Sequence, residues 1–192
     1  MVETKQSFAL EKRLQDLYDA HTERSKLIEW NYYDYLPWEK GSSFTLNPWN
    51  ESQRTLPTEI VTAIETSMLT EINLPWYTAY LKDMFRDGLA PLQGFVHNWV
   101  AEEDQHATAL ENYLVLTRNS DPKELGVLKR EMMVTGWDST FASLIATMGY
   151  TAIQELATVV FYQKIAKSSK EHDETLSVLL TMADSLSFIS LG

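Results

Sequence analysis

The sequence predicts an all-α protein: a four-helix bundle core with extra helices and an irregular, aromatic-rich segment near the N-terminus. Three observations lead there. Apolar residues recur at three- and four-residue spacing over long stretches, as on the buried face of an amphipathic helix. Proline- and glycine-bearing breaks separate those stretches. Three of the four core helices also place a glutamate on their apolar face. The 192 residues suffice for one domain spanning 1–192, with a sizeable core.

Taken in order, residues 7–24 read as a helix, with Leu10, Leu14, Leu17 and Tyr18 in one stripe between charged positions. Residues 25–57 have no sustained period. They hold Trp30, Trp38 and Trp49 among Pro37, Pro48, Pro57 and Gly41, the composition of a segment draped over a core. Pro57 opens a long helical run, proline being favoured in a first turn. Ile60, Ile64, Met68, Glu71 and Pro75 share its inner face. Pro75 has no N–H for the carbonyl four residues back, so a kink is expected there. Arg86–Gly88 reads as a turn, and Pro91 begins the helix that runs to about residue 118. Asn119–Pro122 ends it, 123–134 form a shorter helix, and Gly136–Ser139 is a break. A helix from Thr140 to about Ala166 carries Phe141, Ile145, Met148, Ala152, Glu155 and Val159 on one face. Lys167–Asp173 is a charged turn, and a last helix begins near Thr175.

Composition narrows the chemistry. With no cysteine, disulfides, thiolate zinc sites and iron–sulfur clusters are excluded, and any metal must be held by oxygen and imidazole, which suits iron or manganese. A net charge of −11 argues against nucleic acid as a partner. No apolar stretch is expected to approach the length of a membrane span, and the N-terminus shows no apolar signal core, so the cytoplasm is the expected compartment.

The stretch richest in chemistry is Trp99-Val-Ala-Glu-Glu103-Asp-Gln-His106. On a helix, residues at i and i+3 lie about 60° apart, so Glu103 and His106 reach toward one point on the face shared by Phe95, Trp99, Leu110 and Tyr113. A buried carboxylate needs compensation, and a metal ion is what a Glu-x-x-His pair on a bundle helix implies. Glu102 lies near the same face, and helix geometry alone does not choose between it and Glu103. Glu71 and Glu155 add inward carboxylates on two further helices, and Thr158 follows Glu155 by one turn. Carboxylate-bridged di-iron bundles use this arrangement, with one glutamate from each of two helices and Glu-x-x-His from two others.

Four stretches resemble the soluble acyl-[acyl-carrier-protein] desaturases of plastids and bacteria, in that family's order. They are Trp30-Asn-Tyr-Tyr-Asp34-Tyr-Leu-Pro37, Leu69-Thr-Glu71-Ile-Asn-Leu-Pro75-Trp-Tyr77, the Trp99–His106 stretch with Tyr113-Leu-Val-Leu, and Tyr150-Thr-Ala-Ile-Gln154-Glu155-Leu-Ala-Thr158. The resemblance implies a ferritin-like fold and a non-haem di-iron (Fe) site. It makes Glu71 a terminal ligand, Glu103 a bridging ligand in preference to Glu102, His106 a terminal ligand and Glu155 a ligand to the second iron. Thr158 then matches a catalytic threonine beside the oxygen site. It further implies a fatty acyl chain carried on acyl carrier protein, electrons from ferredoxin, a homodimer, and formation of a cis double bond with dioxygen. Trp30 stands either on the electron path or simply packed under a loop.

The last helix departs from the family pattern. No histidine follows His172 and no glutamate follows Glu174; Ser187 and Ser190 stand where the second Glu-x-x-His is expected, with Asp184 and Ser187 in a less favourable register. The expectation is therefore a shortened family member with half of its di-iron site incomplete, holding one iron or none. A silent paralogue kept for binding or pairing, and a rubrerythrin-style iron- and oxygen-handling protein, are the alternatives. The Trp30–Pro37 and Leu69–Tyr77 stretches speak against the last.

Overall fold

The computed structural model describes residues 2–27, 30–86, 90–141 and 143–190, with side chains described from residue 8 to residue 183 within those ranges. It is an all-α, ferritin-like bundle with no strand among the described residues. The helices are α1 (Val2–Ser25), α2 (Thr58–Ile72), α3 (Leu74–Met84), α4 (Ala90–Leu116), α5 (Pro122–Thr135), α6 (Leu144–Ser169) and α7 (Glu174–Ser190). Three short 3-10 turns, at Tyr32–Tyr35, Trp38–Lys40 and Glu51–Gln53, punctuate the aromatic-rich segment between α1 and α2.

Helices α2, α4, α6 and α7 form the bundle; α6 packs along α7, and α2 along α4. Helix α1 lies on α4, where Gly94 makes room: a Cβ there would meet the Tyr18 ring at 2.9 Å. The expected kink is a full break. Asn73 separates α2 from α3, and Pro75 sits in the first turn of α3 without an N–H to continue the ladder.

The end of α4 anchors the irregular segment. Arg118 takes the left-handed conformation (φ 58°), and Asn119 N–H and Arg118 N–H return to Leu114 O and Val115 O, closing the helix as a Schellman turn. The guanidinium of Arg118 then donates to Ser42 Oγ, Asn47 O and Gln53 Oε1 and lies over the Phe44 ring. Asn119, fully buried, accepts from the backbone N–H groups of Thr55 and Leu56. These contacts hold the segment down on the bundle, and Trp30 with it.

Two expectations about α6 are corrected. The helix starts at Leu144 rather than Thr140, because Ser143 caps it on Ala146 N–H while Asp138 and Ser139 hydrogen-bond locally to the backbone of Ser139 and Phe141. It continues to Ser169, so the turn expected from Lys167 begins only at Lys170. Its N-terminal half is also rotated from the expected face: Ile145 is 85% exposed and Met148 39%. Two phenols of α3 explain this. Tyr80 bonds Thr147 and Tyr77 bonds Thr151, so the hydroxyl side of α6 faces the aromatic α3.

Helix α6 also corrects the expectation that no apolar stretch approaches a membrane span. It is 26 residues long, with an 18-residue window of mean hydropathy 1.4 of which 17% is buried. Its outward side carries Ile145, Ile153, Leu156, Val160 and Phe161, while Glu155 and Tyr162 turn inward. In α7 the expected face is buried at Leu176, Leu180 and Ala183; the side chains at Asp184, Ser187 and Ser190 lie outside those described, as does most of the Arg86–Gly88 turn.

The buried apolar residues form two clusters. One joins α2, α4, α6 and α7 around Ile64, Met68, Leu110, Tyr113 and Leu179. The other joins α3 to the first half of α4 around Tyr77, Leu81, Phe85, Val96 and Trp99. On α4, Trp99 belongs to the second cluster and Ala109 to the first, and the polar pair Glu103 and His106 falls at the seam.

Candidate metal centre

At that seam two helices deliver three ligating groups to one point. Glu71, from the last turn of α2, and Glu103 and His106, from the middle of α4, each offer one ligand atom, and these atoms lie within 4.8 Å of one another. Glu103 is 4% exposed and His106 fully buried. Glu155, on α6, is 6% exposed and lines the same 90 Å³ cavity as Glu71, Glu103 and Thr158. Glu102 turns the other way, accepting from Ser25 Oγ of α1 at 2.8 Å. The geometry thus separates two glutamates that helix periodicity left open.

The contacts within the group leave the imidazole without an ordinary hydrogen bond. His106 Nδ1 lies 2.8 Å from Glu103 Oε2 without the alignment of a hydrogen bond, and Nε2 has no hydrogen-bond partner. A fully buried imidazole with both nitrogens in this condition is uncommon in a native core.

The electrostatics agree. Burial, then the charges of Glu103 and Glu71, pushes Glu155 up to about 8. Burial and Glu103 likewise push Glu71 up to about 7, against the lowering influence of His106 and Tyr162. For His106, desolvation is the largest single influence and pulls the pKa down, but Glu103, Glu71 and Glu155 together outweigh it and raise it to about 9. Without a cation, the site has to hold protons. Three carboxylates and one imidazole fit a divalent iron: oxygen and nitrogen donors, no thiolate, and a buried negative charge that the ion would neutralise.

The surroundings are aromatic on one side and open on the other. Trp30 is buried with its ring 6.0 Å from that of His106, edge to face, and Tyr162 meets the opposite side at 6.3 Å. Tyr162 donates to Glu71 Oε1 at 2.9 Å. A largely apolar cavity of about 170 Å³ is lined by Leu81, Phe85, Leu92, Phe95, Trp99 and Met148, and by Glu155.

The fatty acid desaturase family profile matches residues 6–185. The chain belongs to the acyl-[acyl-carrier-protein] desaturase family. It is 33% identical over 154 residues to the acyl-[acyl-carrier-protein] desaturase DesA1 of Mycobacterium tuberculosis, covering 74% of this chain and 45% of that one. To DesA2 of the same organism it is 30% identical over 169 residues, covering 85% and 61%. To the seed-specific chloroplastic stearoyl-[acyl-carrier-protein] 9-desaturase of Brassica napus it is 30% identical over 154 residues, covering 76% and 39%. The X-ray structure of DesA2 superposes with a TM-score of 0.65 at 26% identity, covering 95% of this chain and 66% of that one. The chain spans about half the length of the curated relatives it matches.

Within this desaturase-family chain, the structure brings Glu71, Glu103 and His106 together, sets Glu155 on the wall they share, and places Thr158 beside it. Tyr162 was missed in the sequence. Its signal is the seven-residue spacing Glu155, Tyr162, Ser169, two helical turns apart and all buried.

Proposed function

We propose that this chain binds non-haem iron through Glu71, Glu103 and His106, with Glu155 as a further acid ligand, and acts on a fatty acyl chain presented on acyl carrier protein. The observation that carries the reading is one juxtaposition. Glu155 and Trp99 line both the apolar cavity and the one that Glu71 and Glu103 line. Bound iron would supply dioxygen activation, with the net removal of two hydrogens from the chain to leave a cis double bond. The protein's own share is positional. Leu81, Phe85, Leu92 and Phe95 would give an acyl chain a wall that excludes water, and Glu155, on the walls of both cavities, would face its reacting carbons. Thr158 is proposed as the hydroxyl beside that end, and Trp30, edge-on to His106, as the aromatic through which a ferredoxin-type donor delivers electrons. A homodimer is proposed with the family.

A second reading is metal binding without desaturation. The last helix favours it, since Ser187 and Ser190 replace the second Glu-x-x-His. One experiment separates the two. The chain is loaded with ferrous iron without oxygen, then given stearoyl-acyl carrier protein, reduced ferredoxin and dioxygen, and the methyl esters are resolved by gas chromatography. A cis-monoene supports the first reading, bound iron without product supports the second, and failure to bind iron refutes both.

A further inference from the structure

We propose that Tyr162 is a positioning residue for Glu71: its phenol fixes one carboxylate oxygen from the opposite helix and leaves the other for the cation. The inference rests on the metal-binding reading above. Glu71 occupies the last turn of α2, two residues before the break at Asn73. There the α-helical ladder stops: Asn73 N–H turns back to the Thr70 carbonyl, and Pro75 has no N–H to give the Glu71 carbonyl. The last turn fixes the Glu71 backbone but not its carboxylate, and Tyr162 holds that from α6, donating to Oε1 at 2.9 Å. The phenol is itself fixed. It is 1% exposed and its ring stands edge-on to His106 at 6.3 Å and 69°. One side chain thus touches two members of the cluster, one by its hydroxyl and one by its ring edge. Helix α6 contributes two groups to the centre, Glu155 and, two turns on, Tyr162.

Groups that hydrogen-bond metal ligands typically govern affinity by about 10- to 100-fold. The test is Tyr162→Phe, which keeps the ring and removes only the O–H. Metal-free wild type and variant are titrated with cobalt(II), read by the visible spectrum of the bound ion, and the metal-free proteins are compared by urea denaturation. The expected result is affinity weakened at least about tenfold with an altered cobalt spectrum. In a Glu71→Gln background the same change is expected to cost no further affinity. If wild type binds no cobalt(II), the metal-binding reading fails. If wild type binds and Tyr162→Phe binds equally well with the same spectrum, the positioning role fails, whatever happens to metal-free stability. A further tenfold loss in the Glu71→Gln background also overturns it, because Tyr162 would then act elsewhere.

Discussion

Raising the pH from 5 to 8 should weaken the metal-free protein, a reversal of ordinary acid denaturation. In the folded chain Glu155 is held at about 8 and Glu71 at about 7, against 4.5 when exposed, and His106 at about 9 against 6.5. All three are raised, so each group keeps in the folded state a proton that the unfolded chain releases at lower pH. The stabilisation from each proton is complete below the unfolded value and is lost as pH rises through the folded one. For the two acids the window is pH 4.5 to 8, and for His106 it is 6.5 to 9. One differential proton amounts to about 1.4 kcal/mol per pH unit, so Glu155 alone accounts for at most about 4 kcal/mol between pH 5 and 8. Glu71, Glu155 and His106 titrate as a coupled set, and a net loss of about 2–4 kcal/mol is expected.

Urea denaturation in chelator-treated buffer at each pH unit reads this directly. The slope should persist in high salt, since buried charges are poorly screened. Glu155→Gln should flatten it. Saturating ferrous or cobalt ion should invert it, because the ligands bind metal only when deprotonated. Metal-free stability that is level or increases from pH 5 to 8 would refute the claim that these groups are buried together.

Three further outcomes follow. Glu103→Ala should reduce bound iron measured after desalting, and unchanged content would show that the inner face of α4 is misassigned. Metal analysis of the wild-type chain should find no more than about one tightly held iron per monomer; two would overturn the view that the present ligands serve one ion. Asn119→Ala should cost about 2–5 kcal/mol by urea denaturation, because the Thr55 and Leu56 N–H groups lose their buried acceptor; under about 1 kcal/mol would mean that water replaces it.

Much of this was legible in the chain itself. Ile60, Ile64 and Met68 are buried as their spacing requires, and Pro75 interrupts the helix where its missing N–H demands it. Helix boundaries set by local side-chain competition were harder to read. Ser139 and Asp138 divert the backbone before α6, and propensity does not reveal which of several serines will cap. The rotation of α6 was hidden for a different reason. A helix apolar on most sides gives periodicity little to discriminate, and the choice was made by Tyr77 and Tyr80 of another helix seeking the hydroxyls of Thr151 and Thr147. Glu102 against Glu103 was likewise settled from outside α4, by Ser25 of α1 accepting the role of partner to Glu102.

Under the proposed metal-binding reading, charge and donor number together argue for a single cation. The described side chains bring Glu71, Glu103 and Glu155 to the seam with one neutral-capable imidazole, His106. Three carboxylates around one divalent ion leave a single negative charge, which a buried hydrogen bond such as that from Tyr162 can stabilise. Two divalent ions on the same donors would leave a net positive charge, and only Glu155 would be left to serve the second ion without competing for Glu71, Glu103 and His106. Burial first, and then the negative charge of Glu103, lifts Glu71 and Glu155 toward neutral pH; a first ion would offset that charge and leave less to drive binding of a second. Where the family resemblance expects a second Glu-x-x-His, the serines at 187 and 190 bring neither negative charge nor imidazole nitrogen.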